Sequence, residues 1–181
     1  MIEKKISERY ARALFSLAGE QKQVDEVYKD LLNIKSVIDS SHDLQLMLSS
    51  PVIKYDKKTN VFKEIFGDRI SKLTNEFLIL TIKKHREMII VSIVSQFEII
   101  YNIANNRIPT LVTTAVELDE AGRDIVTKKI SEIANKESLT EFQTDSSVKG
   151  GVKVMIDDWV FDATLDNKLK RIHHALVHGS I

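Results

Sequence analysis

Apolar residues along the first hundred positions recur at spacings of three and four, and beyond about residue 105 they begin to alternate. Val24, Val27, Tyr28, Leu31, Ile34 and Ile38 mark one amphipathic helix. Leu44, Met47 and Leu48 predict a short helix that stops before Pro51. Asp56 is the expected cap of the next, whose apolar face is Val61, Phe62, Ile65 and Phe66 and whose end is Gly67. A helix near 70–84 follows, then a longer one near 87–105 with Ile90, Val94, Phe97, Tyr101 and Ala104 on one stripe. With the N-terminal segment this makes about six helices joined by short connections, a helical bundle over 1–105.

The pattern changes at Asn105-Asn106-Arg107-Ile108-Pro109. Leu111–Val116 is rich in Val and Thr and predicts a strand. Asp119 or Glu120 starts a helix carrying Ile125, Val126, Ile130, Ile133 and Ala134. Residues 139–144 predict a strand, Val148 to Gly151 a turn, and Val152, Val154 and Ile156 a half-buried strand. Trp159-Val160-Phe161 is a further short strand, after which Asp162 or Thr164 caps a last helix with Leu165, Leu169, Ile172 and Leu176. The expected fold is mainly α: a six-helix N-terminal bundle, 1–105, then a smaller α+β region, 106–181.

Two helices carry more apolar surface than one core-facing stripe needs. On residues 2–18, Ile2, Ile6, Tyr10, Ala13 and Leu17 form one stripe, and Ala11, Leu14, Phe15 and Ala18 an adjoining one. Together they cover roughly 220° of the helix circumference, projected at about 100° per residue. Ile70, Leu73, Phe77, Leu78, Ile79, Leu80 and Ile82 go almost all the way round the second. Such helices are either interior to the bundle or share a groove with a helix from another protein.

Composition narrows the possibilities. Hydrophobic residues make up 43% of the 181, enough for a real core. Lys plus Arg and Asp plus Glu both number 26, and neither region has the basic excess that nucleic acid binding calls for. Absence of cysteine removes disulfides, thiolate metal sites and cysteine nucleophiles. The first seventeen residues lack the continuous apolar stretch of a signal peptide, and no apolar run is expected to cross a bilayer.

Catalytic signals are weak. Gly150-Gly151 is a turn rather than a phosphate loop, and no Gly-x-Gly-x-x-Gly, Walker or Gly-x-Ser-x-Gly motif occurs. His174 and His178 stand four apart, but without a third ligand they read as a surface pair, with His173 solvated and His42 and His85 near helix ends. Asp157, Asp158, Asp162 and Asp166 read as turn and capping residues rather than an acid–base pair. Lys57-Lys58 and Lys83-Lys84 read as solvated helix ends. No cofactor, metal or catalytic residue is expected.

Three stretches stand out in order: Arg9-Tyr10-Ala11-Arg12-Ala13-Leu14-Phe15 through Ala18; Ser50-Pro51-Val52-Ile53 with Lys57-Lys58 and Phe77-Leu78 through Arg86; and Gly150-Gly151-Val152 through Asp158, then Val160 to Leu169. Together they resemble the delta subunit of bacterial F-type ATP synthases, equivalent to the mitochondrial oligomycin-sensitivity-conferring protein. Ala163-Thr164, Asp166-Asn167 and Lys84-His85 depart from the family's Gly-Ser, Arg-Gly and Asn-Gly.

The resemblance implies a non-catalytic stator adaptor that resists rotor torque during proton-driven ATP synthesis. The bundle would hold the N-terminal helix of an alpha subunit of the catalytic head between its first and fifth helices. Ala11, Leu14, Phe15 and Ala18 then belong to the core, and Ile6, Tyr10, Ala13, Leu17, Phe77 and Leu80 to the partner. The C-terminal region would meet the C-terminal helices of the b subunits through Leu169, Ile172 and Leu176. The protein would sit on the cytoplasmic face of the bacterial membrane, attached only through the complex, and would not bind nucleic acid. The residues alone leave two other readings: a helical RNA-binding or antitermination-type module, and a small hydrolase built on the C-terminal Asp and His residues.

Overall fold

The computed structural model describes residues 2–67, 69–156 and 159–178, with Ile2 and His178 described by their backbone alone. The chain divides into two compact units, Met1–Tyr101 and Asn102–Ile181. The division falls inside the last bundle helix, slightly before the expected boundary.

The first unit holds α1 (Ile2–Glu20), α2 (Val24–Ser40), α3 (His42–Ser49), α4 (Tyr55–Phe66), α5 (Lys72–Lys83) and most of α6 (Ile90–Ala104), the last preceded by a 3-10 turn at Glu87–Ile89. Their apolar stripes meet in one core that includes Ala11, Leu14, Leu31, Phe66, Leu78 and Phe97. Capping follows local chemistry: Ser41 accepts from Leu44 N, and Ser71 from Thr74 N, each at 3.3 Å. Asp56 does not cap α4. The helix already begins at Tyr55, after a Lys54 that makes no side-chain cap, and Asp56 lies in the first turn, where its charge opposes the helix dipole. Gly67 ends α4, but not in the left-handed conformation: its φ is −25°, and a Cβ there would strike the Lys63 carbonyl.

Lys58 corrects the sequence expectation most sharply. It is 2% exposed, and its Nζ lies 2.5 Å from Glu87 Oε1 and 3.0 Å from the Leu48 carbonyl. The cause is phase: Lys58 stands one turn before Phe62 on the inward face of α4, whereas Lys57 points out. One ammonium thus joins the end of α3, the start of α4 and the entry to α6. The segment Glu87–Ala104 also departs from expectation, being long and apolar enough by composition to span a bilayer, with mean hydropathy 1.4. Its Ile90, Ile93, Val94 and Phe97 are buried in the bundle. It is anchored to α2 by Tyr101 Oη, which donates to Asp25 Oδ1 at 2.6 Å, and by the stacked rings of Tyr28 and Tyr101.

In the second unit, β1 (Arg107–Thr114), α7 (Glu120–Ala134), β2 (Glu137–Thr144), β3 (Val152–Ile156), β4 (Trp159–Asp162) and α8 (Leu165–His178) follow in order. The sheet order is β2-β1-β3-β4, with β1 and β2 parallel and the other neighbours antiparallel. Asp119 caps α7 by accepting from Gly122 N at 2.9 Å. α7 is the crossover that a parallel pair requires. Its Ile130 packs on Val112 and Val154, with Val126, Phe142, Val152 and Ile156 around them. Pro109 lies inside β1, which begins at Arg107 rather than at the expected Leu111. The position tolerates it because pairing with β3 begins only at Thr110.

Candidate functional site

The two stripes on α1 differ in burial. Ala11, Leu14 and Ala18 are buried, and Phe15 packs on Phe97 with ring centroids 5.6 Å apart. The other stripe opens onto a groove between α1 and α5 with a cavity of about 470 Å³. Tyr10, Ala13 and Leu17 line it from α1, and Phe77 and Leu80 from α5. Ile6, placed on the same stripe by spacing, is not in the lining; it is half-buried against the bundle core. Arg9, Leu14, Leu73 and Glu76 complete the lining and were not expected there. Arg9 and Glu76 each precede an expected lining residue, so they lie about 100° round the helix, at the groove's edges.

The groove is held open from beneath. On α5, Thr74, Leu78, Thr81 and Ile82 are buried, which turns Phe77 and Leu80 outward. Asp30 on α2 accepts Ser71 N–H at 2.8 Å and fixes where α5 starts. Thr81 Oγ1 donates to the Phe77 carbonyl at 2.8 Å. The Tyr10 and Phe77 rings meet edge-on across the floor at 6.3 Å. Leu17 and Leu80 stay 41% and 47% exposed, apolar surface that this unit leaves uncovered.

A second apolar surface lies in the other unit. Leu169, Ile172 and Leu176 are 62%, 56% and 80% exposed along one stripe of α8. The edge strand β4 adds Trp159 and Phe161, also exposed, which helical spacing could not have pointed to. α8 is capped by Thr164, whose Oγ1 accepts from Asn167 N at 3.3 Å. Asp162 in turn accepts from the N–H and hydroxyl of Thr164, and these bonds hold its carboxyl below the ordinary range. Asp166 pairs with Lys149 at 3.3 Å. These carboxylates are engaged in capping and pairing. Asp157 and Asp158, and the side chain of His178, fall outside the described residues. Among the described residues, no group of three or more His, Asp or Glu side chains could hold a metal.

Residues 6–176 match the sequence model of the family described as ATP synthase delta (OSCP) subunit. The chain belongs to that family. It is similar to the ATP synthase subunit delta of Desulforamulus reducens, with 32% identity over 177 residues and 98% of each chain covered. It is also similar to that of Clostridium botulinum, with 34% identity over 167 residues, 92% of this chain and 93% of the other. A chain in the cryo-EM structure of the Toxoplasma gondii mitochondrial ATP synthase hexamer shares the fold, with a TM-score of 0.74 at 18% identity, covering 94% of this chain and 97% of that one. Members of the delta (OSCP) family are structural subunits of F-type ATP synthase and not themselves catalytic. The RNA-binding and hydrolase readings gain no support from these likenesses.

Proposed function

We propose that this subunit is the stator adaptor of the synthase, holding the catalytic head against the torque of the rotor. On this reading the α1–α5 groove takes the N-terminal helix of an alpha subunit, and the C-terminal unit takes the C-terminal helices of the b subunits. The roles divide at about residue 105, and the protein works at the cytoplasmic face of the membrane, attached through its partners. The observation that carries the reading is the groove itself. Tyr10, Ala13 and Leu17 face Phe77 and Leu80 across a mainly apolar cavity, with Arg9 and Glu76 at its edges. A partner helix that covers Leu17 and Leu80 stabilises the complex by about 1 kcal/mol for each, since roughly half of each side chain is already buried.

No step in this function needs a shifted pKa or a bound ion. What it needs is slow dissociation, which follows from the buried apolar area and its packing. Calorimetric titration of the full chain with the N-terminal peptide of the alpha subunit from the same organism tests it. One-to-one binding is expected, and Leu80→Asp should abolish it by placing a charge in the groove. Equal binding by the Leu80→Asp protein would overturn the assignment of the groove.

A further inference from the structure

Arg9 and Glu76 stand on opposite walls of the groove, Arg9 on α1 and Glu76 on α5. Each is the immediate neighbour of a residue in the Tyr10–Phe77 contact, so the two charges flank the groove at one level. Both are exposed, and the Arg9 guanidinium lies 6.0 Å from the centroid of the Tyr10 ring. Arg12, one turn along, is held by Glu8 at 2.8 Å, whereas among the described residues Arg9 has no carboxylate within ion-pair distance. Glu76 has only Lys72 nearby, at 3.9 Å, with their side chains 64% and 91% exposed, a pair of little strength. A groove with an apolar floor thus carries one positive and one negative edge.

We infer that Arg9 and Glu76 fix the direction in which the partner helix runs along the groove, by selecting a helix with an acidic flank toward α1 and a basic flank toward α5. This rests on the groove reading above. An amphipathic helix has an apolar stripe between two polar flanks. Turning it end for end keeps the stripe on the groove floor but exchanges the flanks. Two walls of like charge could not tell the orientations apart. Walls of opposite charge make one orientation attractive at both edges and the other repulsive at both. Apolar contact supplies affinity without direction, and the edge charges supply direction at small cost in affinity.

The test uses the full chain and helical peptides with one leucine stripe. One peptide has Glu along one flank and Lys along the other, and a second has Gln on both. Each carries a nitroxide at its N-terminus, and amide signals at the two ends of the groove report which end it approaches. With the charged peptide, broadening is expected at one end only. It should move to the other end in the Arg9→Glu/Glu76→Lys protein, and occur at both ends with the Gln peptide. Either single reversal should weaken the charged peptide a few-fold, an effect that shrinks as salt is raised. Broadening at the same end in the wild-type and doubly reversed proteins would overturn the inference and leave the groove reading intact. Failure of both peptides to bind would overturn both.

Discussion

The Lys58 ammonium and the Glu87 carboxylate form an ion pair whose side chains are 2% and 9% exposed, and it is the tie that joins α3, α4 and the entry to α6. Removing one partner leaves the other charged and buried. Lys58→Met should therefore cost about 3–5 kcal/mol of stability in denaturant unfolding of the bundle. Lys58→Met combined with Glu87→Leu should recover most of that loss, because an apolar pair needs no charge compensation. A double variant as unstable as the single one would show that packing, not charge, sets the cost.

His85 sits at φ 54°, in the left-handed region that glycine occupies freely. The turn between α5 and α6 thus keeps a left-handed residue without a glycine to supply it. His85→Gly should stabilise the protein by up to about 1 kcal/mol, read as a rise in the thermal midpoint.

Gly151 presents the opposite case. Its φ is 85°, and a Cβ there would collide with the Ala163 carbonyl. Gly151→Ala should destabilise the C-terminal unit by about 1–3 kcal/mol, visible as loss of sheet amide protection while the bundle amides stay protected.

Asp162 gives the C-terminal unit an acid dependence. Hydrogen bonds from Thr164 lower its pKa from 3.8 in the folded state. A lowered folded pKa means a contribution that is fully present above the unfolded value and lost as pH falls through the folded one. Helicity of α8, followed by circular dichroism, should fall below about pH 4 in the wild type. In Asp162→Asn that part of the acid transition should be missing.

A fragment ending at residue 105 contains every buried member of the bundle core. It should fold cooperatively and keep its affinity for the alpha-subunit peptide, and Tyr10→Asp in it should weaken that binding strongly. Loss of binding by a demonstrably folded fragment would mean that the C-terminal unit contributes to the head contact.

Helical spacing gave the bundle almost complete, because Leu31, Ile34 and Ile38, or Phe62 and Phe66, repeat at a period that only a buried helix face explains. Alternation likewise gave β3, where Val152, Val154 and Ile156 share one face. What remained hidden was decided by tertiary phase. Lys58 looks solvated beside Lys57 until the position of Glu87 is known. Pro109 argues against a strand until pairing with β3 is seen to start one residue later. The parallel pairing of β1 with β2 depends on the path of α7 and has no local signature. At the groove, the apolar lining was legible from an overwide stripe, but Arg9 and Glu76 were not, since a charged residue on a helix ordinarily signifies only solvent.

The exposed stripe of α8 bears on how the chain behaves at high concentration. Leu169, Ile172 and Leu176 leave most of their surface to solvent on a helix of 14 residues, a length that draws little stability from its own backbone. An apolar stripe of this kind is adhesive. Copies of the chain without a partner on that stripe are therefore expected to associate as their concentration rises, and occupancy of the stripe to suppress that association.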